Sequence, residues 1–219
     1  MRLNPALEKR LALAAVLVAA LCVSLIFFAD RSAATAARSL GPGIQHFFGR
    51  LTHLGNSAYY LIPAFLLFLG LRVAASRWPG FRARLQDLSQ RFLFVFAAIA
   101  VSGIVNDLLK ILFGRPRPRM FFHYGYYSFS WFEFSAKMWS FPSGHSNTVF
   151  ALAMALFLLV PRWWFLYFTY AALVAVSRVV VGSHYPSDVI MGGYLGVATT
   201  FYVKQFFLDK GIDIFARKA

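Results

Sequence analysis

Six runs of apolar residues, separated by short polar connectors, organise this chain: residues 11–29, 58–75, 92–113, 147–160, 163–181 and 189–208. A helix needs about 20 predominantly apolar residues to cross the hydrocarbon core of a bilayer. Five of the runs approach that length, and the fourth approaches it if its helix starts near Ser143. The second run contains Pro63, which a membrane helix tolerates because neighbouring groups re-satisfy the carbonyl that proline frees. The pattern predicts an all-α, polytopic bundle of six transmembrane helices. No polar stretch is long enough to fold alone, so residues 1–219 read as a single integral membrane domain.

Two connectors exceed a plain turn. Residues 30–57 carry Ile44, Phe47, Phe48 and Leu51 at helical spacing, with Gln45, His46 and Arg50 between them, which predicts an amphipathic helix on the membrane surface. Residues 114–141 are crowded with aromatic side chains, among them Phe121, Tyr126, Trp131 and Trp139. Such rings suit an interface where one end is apolar and the other wet.

Composition agrees with a bilayer as solvent. The chain is 59% hydrophobic and only 14% charged, whereas soluble domains are about half apolar and about a quarter charged. The net charge of +14 would suggest nucleic acid in a soluble protein. Here the cations sit mostly in connectors, which fits membrane topology and anionic lipid instead. With the N-terminus inside, thirteen Lys and Arg residues fall on one side, including Arg2, Arg217 and Lys218, and nine on the other. Both termini are therefore expected in the cytoplasm. The first run reads as a membrane helix rather than a cleaved signal: it exceeds the usual signal core, and Ala34-Thr35-Ala36 lies well past its end. Cys22, the one cysteine, permits no intrachain disulfide and reads as a small packing or lipid-facing residue.

Alternation of six spans brings three polar clusters to the outer side. The third span exits through Lys110 into Gly114-Arg115-Pro116-Arg117-Pro118-Arg119. The fourth begins at Pro142-Ser143-Gly144-His145-Ser146. The fifth ends at Ser177-Arg178, before Gly182-Ser183-His184-Tyr185-Pro186-Ser187-Asp188. Lys110, Arg117 and Arg178 are cations at span ends, where charge is costly without a partner. Arginine forks match phosphate oxygens, and lysine acts as a point charge. A helix starting after Pro142 would offer the N–H groups of Ser143, Gly144 and His145 to an anion. The cluster reads as a phosphate cradle.

His184 and Asp188 are four residues apart where a helix starts. At that spacing Asp188 can accept from one ring nitrogen and leave the other nucleophilic. His145 is placed to protonate a departing oxygen and then activate water. The outer side offers only Asp30, Glu133 and Asp188 as carboxylates, too few for a metal site, so no metal or other cofactor is expected.

These residues resemble, in order and spacing, the three-part signature of the type-2 phosphatidic acid phosphatase superfamily. Six residues separate Lys110 from Arg117-Pro118, Pro142-Ser143-Gly144-His145 follows, and Ser177-Arg178 precedes His184 and Asp188. No signature position is missing, and the motif core runs over residues 110–188. The resemblance implies His184 as nucleophile, Asp188 as its orienting group and His145 as general acid and base. Lys110, Arg117, Ser143, Gly144 and Arg178 would hold the phosphate without a metal, at the outer membrane face of a helical core.

The expected activity is hydrolysis of a phosphate monoester or diphosphate on a membrane lipid, through a phosphohistidine. Charge bias and short loops suggest a bacterial cytoplasmic (inner) membrane, with the site facing the periplasm or exterior. Undecaprenyl diphosphate, phosphatidylglycerophosphate, phosphatidate and lipid A 1-phosphate are all substrate candidates, and no nucleic-acid partner is expected. A lipid phosphotransferase with the same intermediate, or a non-catalytic lipid-phosphate binder or transporter, are the rivals. A vanadate-dependent halide oxidation, also known in the superfamily, is disfavoured by the six apolar runs. Arg115, Arg119 and Lys137 read as solvated charges that can steer an anionic substrate, and His123 as a structural histidine of the aromatic loop. Asn106 and Asp107 either bond Lys110 or satisfy a packing contact.

Overall fold

A computed structural model describes residues 3–215; Arg2, Arg217 and Lys218, counted above toward the cytoplasmic side, lie outside the described residues. Nine α-helices and no strand occur among those residues: α1 Pro5–Phe28, α2 Asp30–Arg38, α3 Pro42–Leu51, α4 Ala58–Arg77, α5 Arg82–Phe113, α6 Pro118–Tyr124, α7 Gly144–Leu159, α8 Trp164–Val180 and α9 Pro186–Asp209.

Local chemistry sets the helix ends that matter for the site. Pro186 occupies the first turn of α9, and the Asp188 carboxylate caps it by accepting from the Tyr185 N–H at 2.7 Å. Helix α5 stops at Gly114, whose φ of +51° closes the left-handed cap with its N–H on the Lys110 carbonyl at 2.9 Å. Arg117 precedes a proline and is extended, as that position requires, so α6 starts only at Pro118.

The connector read as one surface helix is two, α2 and α3, followed by a 3-10 turn at Thr52–Gly55. Helix α5 begins ten residues before its apolar run, because its first turns are polar and invisible to a hydrophobicity reading.

Helix α7 packs against α5, α8 and α9, while α4 lies along α5 and α1 along α9. The α7–α9 contact is backbone against backbone. A Cβ on Gly192 would stand 2.3 Å from the Ser143 carbonyl oxygen, and one on Gly196 2.4 Å from that of Asn147. Two glycines four residues apart thus let α9 lie directly on α7. The head of α7, with Ser143 and His145, is thereby set beside the head of α9, with Asp188. At the opposite end, Phe94, Leu159, Val203, Phe207 and Phe215 form a buried aromatic and aliphatic core.

Four helical stretches, Pro5–Phe28, Pro42–Arg77, Pro79–Tyr124 and Pro161–Val180, are long and apolar enough to cross a membrane. The outward residues of α1 are apolar, with Phe28 84% exposed and Val16 66%, as a lipid-facing surface demands. Helix α7 has only 16 residues. Helix α9 has 24 but includes Gly192, Gly193, Gly196, Thr199, Thr200 and Lys204. These two are the inner helices, where small and polar residues serve packing rather than lipid contact.

Candidate active site

The predicted site residues come together at one end of the bundle. Ser143 caps α7, and its N–H donates to the Asp188 carbonyl at 2.9 Å. Its N–H is therefore not free for an anion, contrary to the expectation from sequence. The first intrahelical bond of α7 runs from Asn147 N to Ser143 O at 3.0 Å, so the N–H groups of Gly144, His145 and Ser146 have no helical acceptor. The Lys110 ammonium lies 2.8 Å from where a Cβ on Gly144 would stand, and it also donates to Asp107 Oδ1 at 2.9 Å. Arg178, at the end of α8, is buried and donates through Nη1 to the Thr52 hydroxyl. Its Nε has no partner. The Arg178 carbonyl accepts from the His184 N–H at 3.2 Å. Arg117 is held by the Ala136 carbonyl at 3.2 Å from its Nε.

Lys110, Gly144 and His145 line a cavity of about 410 Å³ between α4, α5 and α7, with Gly55, Leu61, Ile104 and Asn106. Asn106 is 1% exposed and neither side-chain polar atom has a partner; Asp107 alone takes the Lys110 bond, which resolves the alternative left by sequence. Arg117, Arg119, His123, Tyr124 and Lys137 line a second, open cavity of about 500 Å³. His123 is exposed, with its ring 6.2 Å from that of Tyr124.

His184 is 3% exposed. Its Nδ1 lies 2.7 Å from the Ser140 carbonyl and 3.6 Å from Asp188 Oδ2. A carbonyl can only accept, so Nδ1 must carry the proton and Nε2 the lone pair. Burial pulls the imidazole pKa down to about 4, against the opposing pull of Asp188. The ring is therefore neutral at neutral pH. An unfolded histidine titrates near 6.5, so between that pH and about 4 the unfolded chain binds the extra proton. Stability from neutral His184 is full above the unfolded pKa and is lost as pH falls toward the folded one. The difference in unfolding temperature between wild type and His184→Asn should accordingly shrink on acidification across that window, as measured by thermal unfolding in detergent.

Asp188 is fully buried and saturated. Its Oδ2 accepts from the Ser140 hydroxyl at 2.6 Å and from the Tyr185 N–H, while Oδ1 accepts from Arg115 Nη1 at 2.5 Å. Arg115, read as a solvated charge, is also fully buried. It bridges Asp188 to Asp30, whose Oδ2 accepts from Nη2 at 2.8 Å. Ser187 joins the set, accepting from Nη1 at 2.7 Å and donating its hydroxyl to Asp30. The guanidinium also stacks on Tyr185, 4.3 Å from the ring centre. Cys22 closes the floor as a packing residue, 2% exposed, its thiol on the Ser187 carbonyl at 3.4 Å.

The family profile described as the PAP2 superfamily matches residues 91–212, which takes in the site residues named above except Cys22, Asp30, Thr52, Gly55 and Leu61. The chain belongs to the PAP2 superfamily. Among its relatives, a lipid A 1-phosphatase of Rhizobium johnstonii is 37% identical over 159 residues, covering 72% of this chain and 65% of that protein. A lipid A 1-phosphatase of Rhizobium etli is 39% identical over 144 residues, covering 65% and 62%. The chain thus spans slightly under two thirds of the length of each. A crystal structure of a transmembrane PAP2-type phosphatidylglycerolphosphate phosphatase from Bacillus subtilis has the same fold, with a TM-score of 0.65 and 24% identity over 92% of this chain and 96% of that one.

Several residues of this candidate site had no signal in the sequence. Ser140 contributes a backbone carbonyl, which residue type cannot announce. Gly55 lies against His145: a Cβ there would stand 2.5 Å from the ring's Cδ2 and 2.7 Å from its Cβ, so the turn at Thr52–Gly55 fixes the imidazole by contact. Asp30 was visible only as an outer carboxylate.

Proposed function

We propose that this PAP2 protein hydrolyses a phosphate monoester or diphosphate of a membrane lipid through a phosphohistidine on His184. The observation that carries the reading is the Nδ1 contact with the Ser140 carbonyl at 2.7 Å, which leaves Nε2 unprotonated. In the first step the Nε2 lone pair forms a bond to phosphorus and the bond to the lipid oxygen breaks. His145 gives that oxygen a proton. In the second step His145 takes a proton from water, which attacks phosphorus and releases His184. Lys110, Arg117 and Arg178 neutralise the phosphoryl oxygens, joined by the Ser143 hydroxyl and the N–H groups of Gly144 and His145. The partnerless Nε of Arg178 supports an anion in that position. No metal enters these steps.

The same reading places six spans, α1, α4, α5, α7, α8 and α9, in a bacterial cytoplasmic membrane, in one domain, with both termini inside. The site then opens to the periplasm or exterior, and Arg119 and Lys137 steer the headgroup toward Arg117. The relatives named for lipid A 1-phosphate make that lipid the first substrate to try, ahead of undecaprenyl diphosphate, phosphatidylglycerophosphate and phosphatidate. Purified protein in detergent with EDTA should release inorganic phosphate from at least one of these four. Release only when an acceptor lipid is added, with label appearing on the acceptor, would establish a phosphotransferase. No release and no transfer from any of them would overturn the hydrolase reading.

A further inference from the structure

Asp30 stands outside the matched family region, yet its carboxylate is fully buried against the residue that holds Asp188. It starts α2 and accepts three bonds: Arg115 Nη2 at 2.8 Å, the Ser187 N–H at 3.1 Å and the Ser187 hydroxyl. Burying a second carboxylate is costly, and a one-to-one Arg115–Asp188 pair would already neutralise both of its members. The charge count suggests what the extra carboxylate does. Asp30 and Asp188 against Arg115 leave the buried set one negative charge in excess while the His184 ring is neutral.

Resting on the phosphohistidine reading, we propose that Asp30 is a positioning residue that keeps the Arg115–Asp188 pair in negative excess and so favours transfer of the phosphoryl group onto His184. When Nε2 bonds to phosphorus, Nδ1 keeps its proton on the Ser140 carbonyl and the ring becomes an imidazolium-like cation. The electron pair of the broken P–O bond leaves with the lipid oxygen, which takes its proton from His145. The buried set and the ring then sum to zero. With Asp30 neutral the same set would start balanced and finish with an uncompensated positive charge, in a site too dry to screen it. Asp30 touches neither substrate nor His184; it acts through Arg115 and Asp188.

The test is single-turnover transfer of radiolabelled phosphate from the substrate lipid, quenched in alkali, where phosphohistidine survives. Wild type, Asp30→Asn and Asp30→Glu are compared per folded molecule, with folding judged by gel filtration and thermal unfolding. Asp30→Asn should form the phosphoenzyme about 10- to 100-fold more slowly with KM nearly unchanged, and Asp30→Glu should recover to within about 3-fold of wild type. An unchanged rate in folded Asp30→Asn would reduce Asp30 to a structural role. If Asp30→Asn does not fold, Asp30→Glu decides: a folded variant that keeps the charge but is slowed more than about 10-fold overturns the charge argument. Failure of the underlying phosphohistidine reading looks different, since wild type itself would then carry no alkali-stable label that depends on His184.

Discussion

Replacing His184 with asparagine should stop phosphate release, with turnover falling on the order of ten-thousand-fold or more, as expected when the nucleophile of a cooperating set is removed. The fold should survive. An asparagine side-chain amide can still donate to the Ser140 carbonyl that receives Nδ1 in the native protein, and the surrounding Asp188 contacts do not pass through the ring. Phosphate or lipid phosphate should bind with an affinity close to wild type, because Lys110, Arg117, Arg178 and the head of α7 are untouched. The decisive comparison is release against binding. Retained turnover would remove His184 from the chemistry, and retained biological function without turnover would mark a binding or transport protein. His145→Gln should give a milder loss, since a proton transfer contributes about a hundred- to ten-thousand-fold.

Helical content and the gathering of the polar clusters at one end of the bundle follow from local patterns, and these were legible. The apolar runs locate all six long helices because burial in lipid or core demands the same residue types. The spacing of Lys110, Arg117, Ser143, His145, Arg178, His184 and Asp188 locates a constellation that the fold then gathers. What escaped is what depends on distant partners. Arg115 sits in a proline–arginine run where no periodicity tells inside from outside, and its partners Asp30 and Asp188 lie 85 and 73 residues away. The Asp188–His184 contact, expected as a direct bond, is longer at 3.6 Å because the Ser140 backbone carbonyl takes the ring proton at 2.7 Å. A backbone acceptor has no residue signature. Neither does the close approach of Gly55 to His145, which only the turn preceding α4 creates.

The burial of Arg115 yields the largest expected effect on stability. Arg115→Met removes the one cation shared by Asp30 and Asp188, both of them fully buried, and leaves two buried carboxylates without their counter-ion. Breaking a buried pair in this way costs about 3–5 kcal/mol, which for a domain of this size corresponds to about 6–20 °C in unfolding midpoint. A solvated arginine, by contrast, would change stability by about 0.5 kcal/mol or less. Arg115→Lys should fall between, since an ammonium supplies the charge but neither the two-pronged contact nor the stack on Tyr185. The sign of the coupling is sharper than any single value. Adding Asp30→Asn to Arg115→Met relieves one of the two unpaired charges, so the double variant should be more stable than Arg115→Met alone, although Asp30→Asn by itself is not stabilising. Thermal unfolding of the four proteins measures that coupling. Additive losses would mean that Asp30 and Asp188 do not share Arg115, and the charge balance argued for the phosphoryl-transfer step would lose its basis.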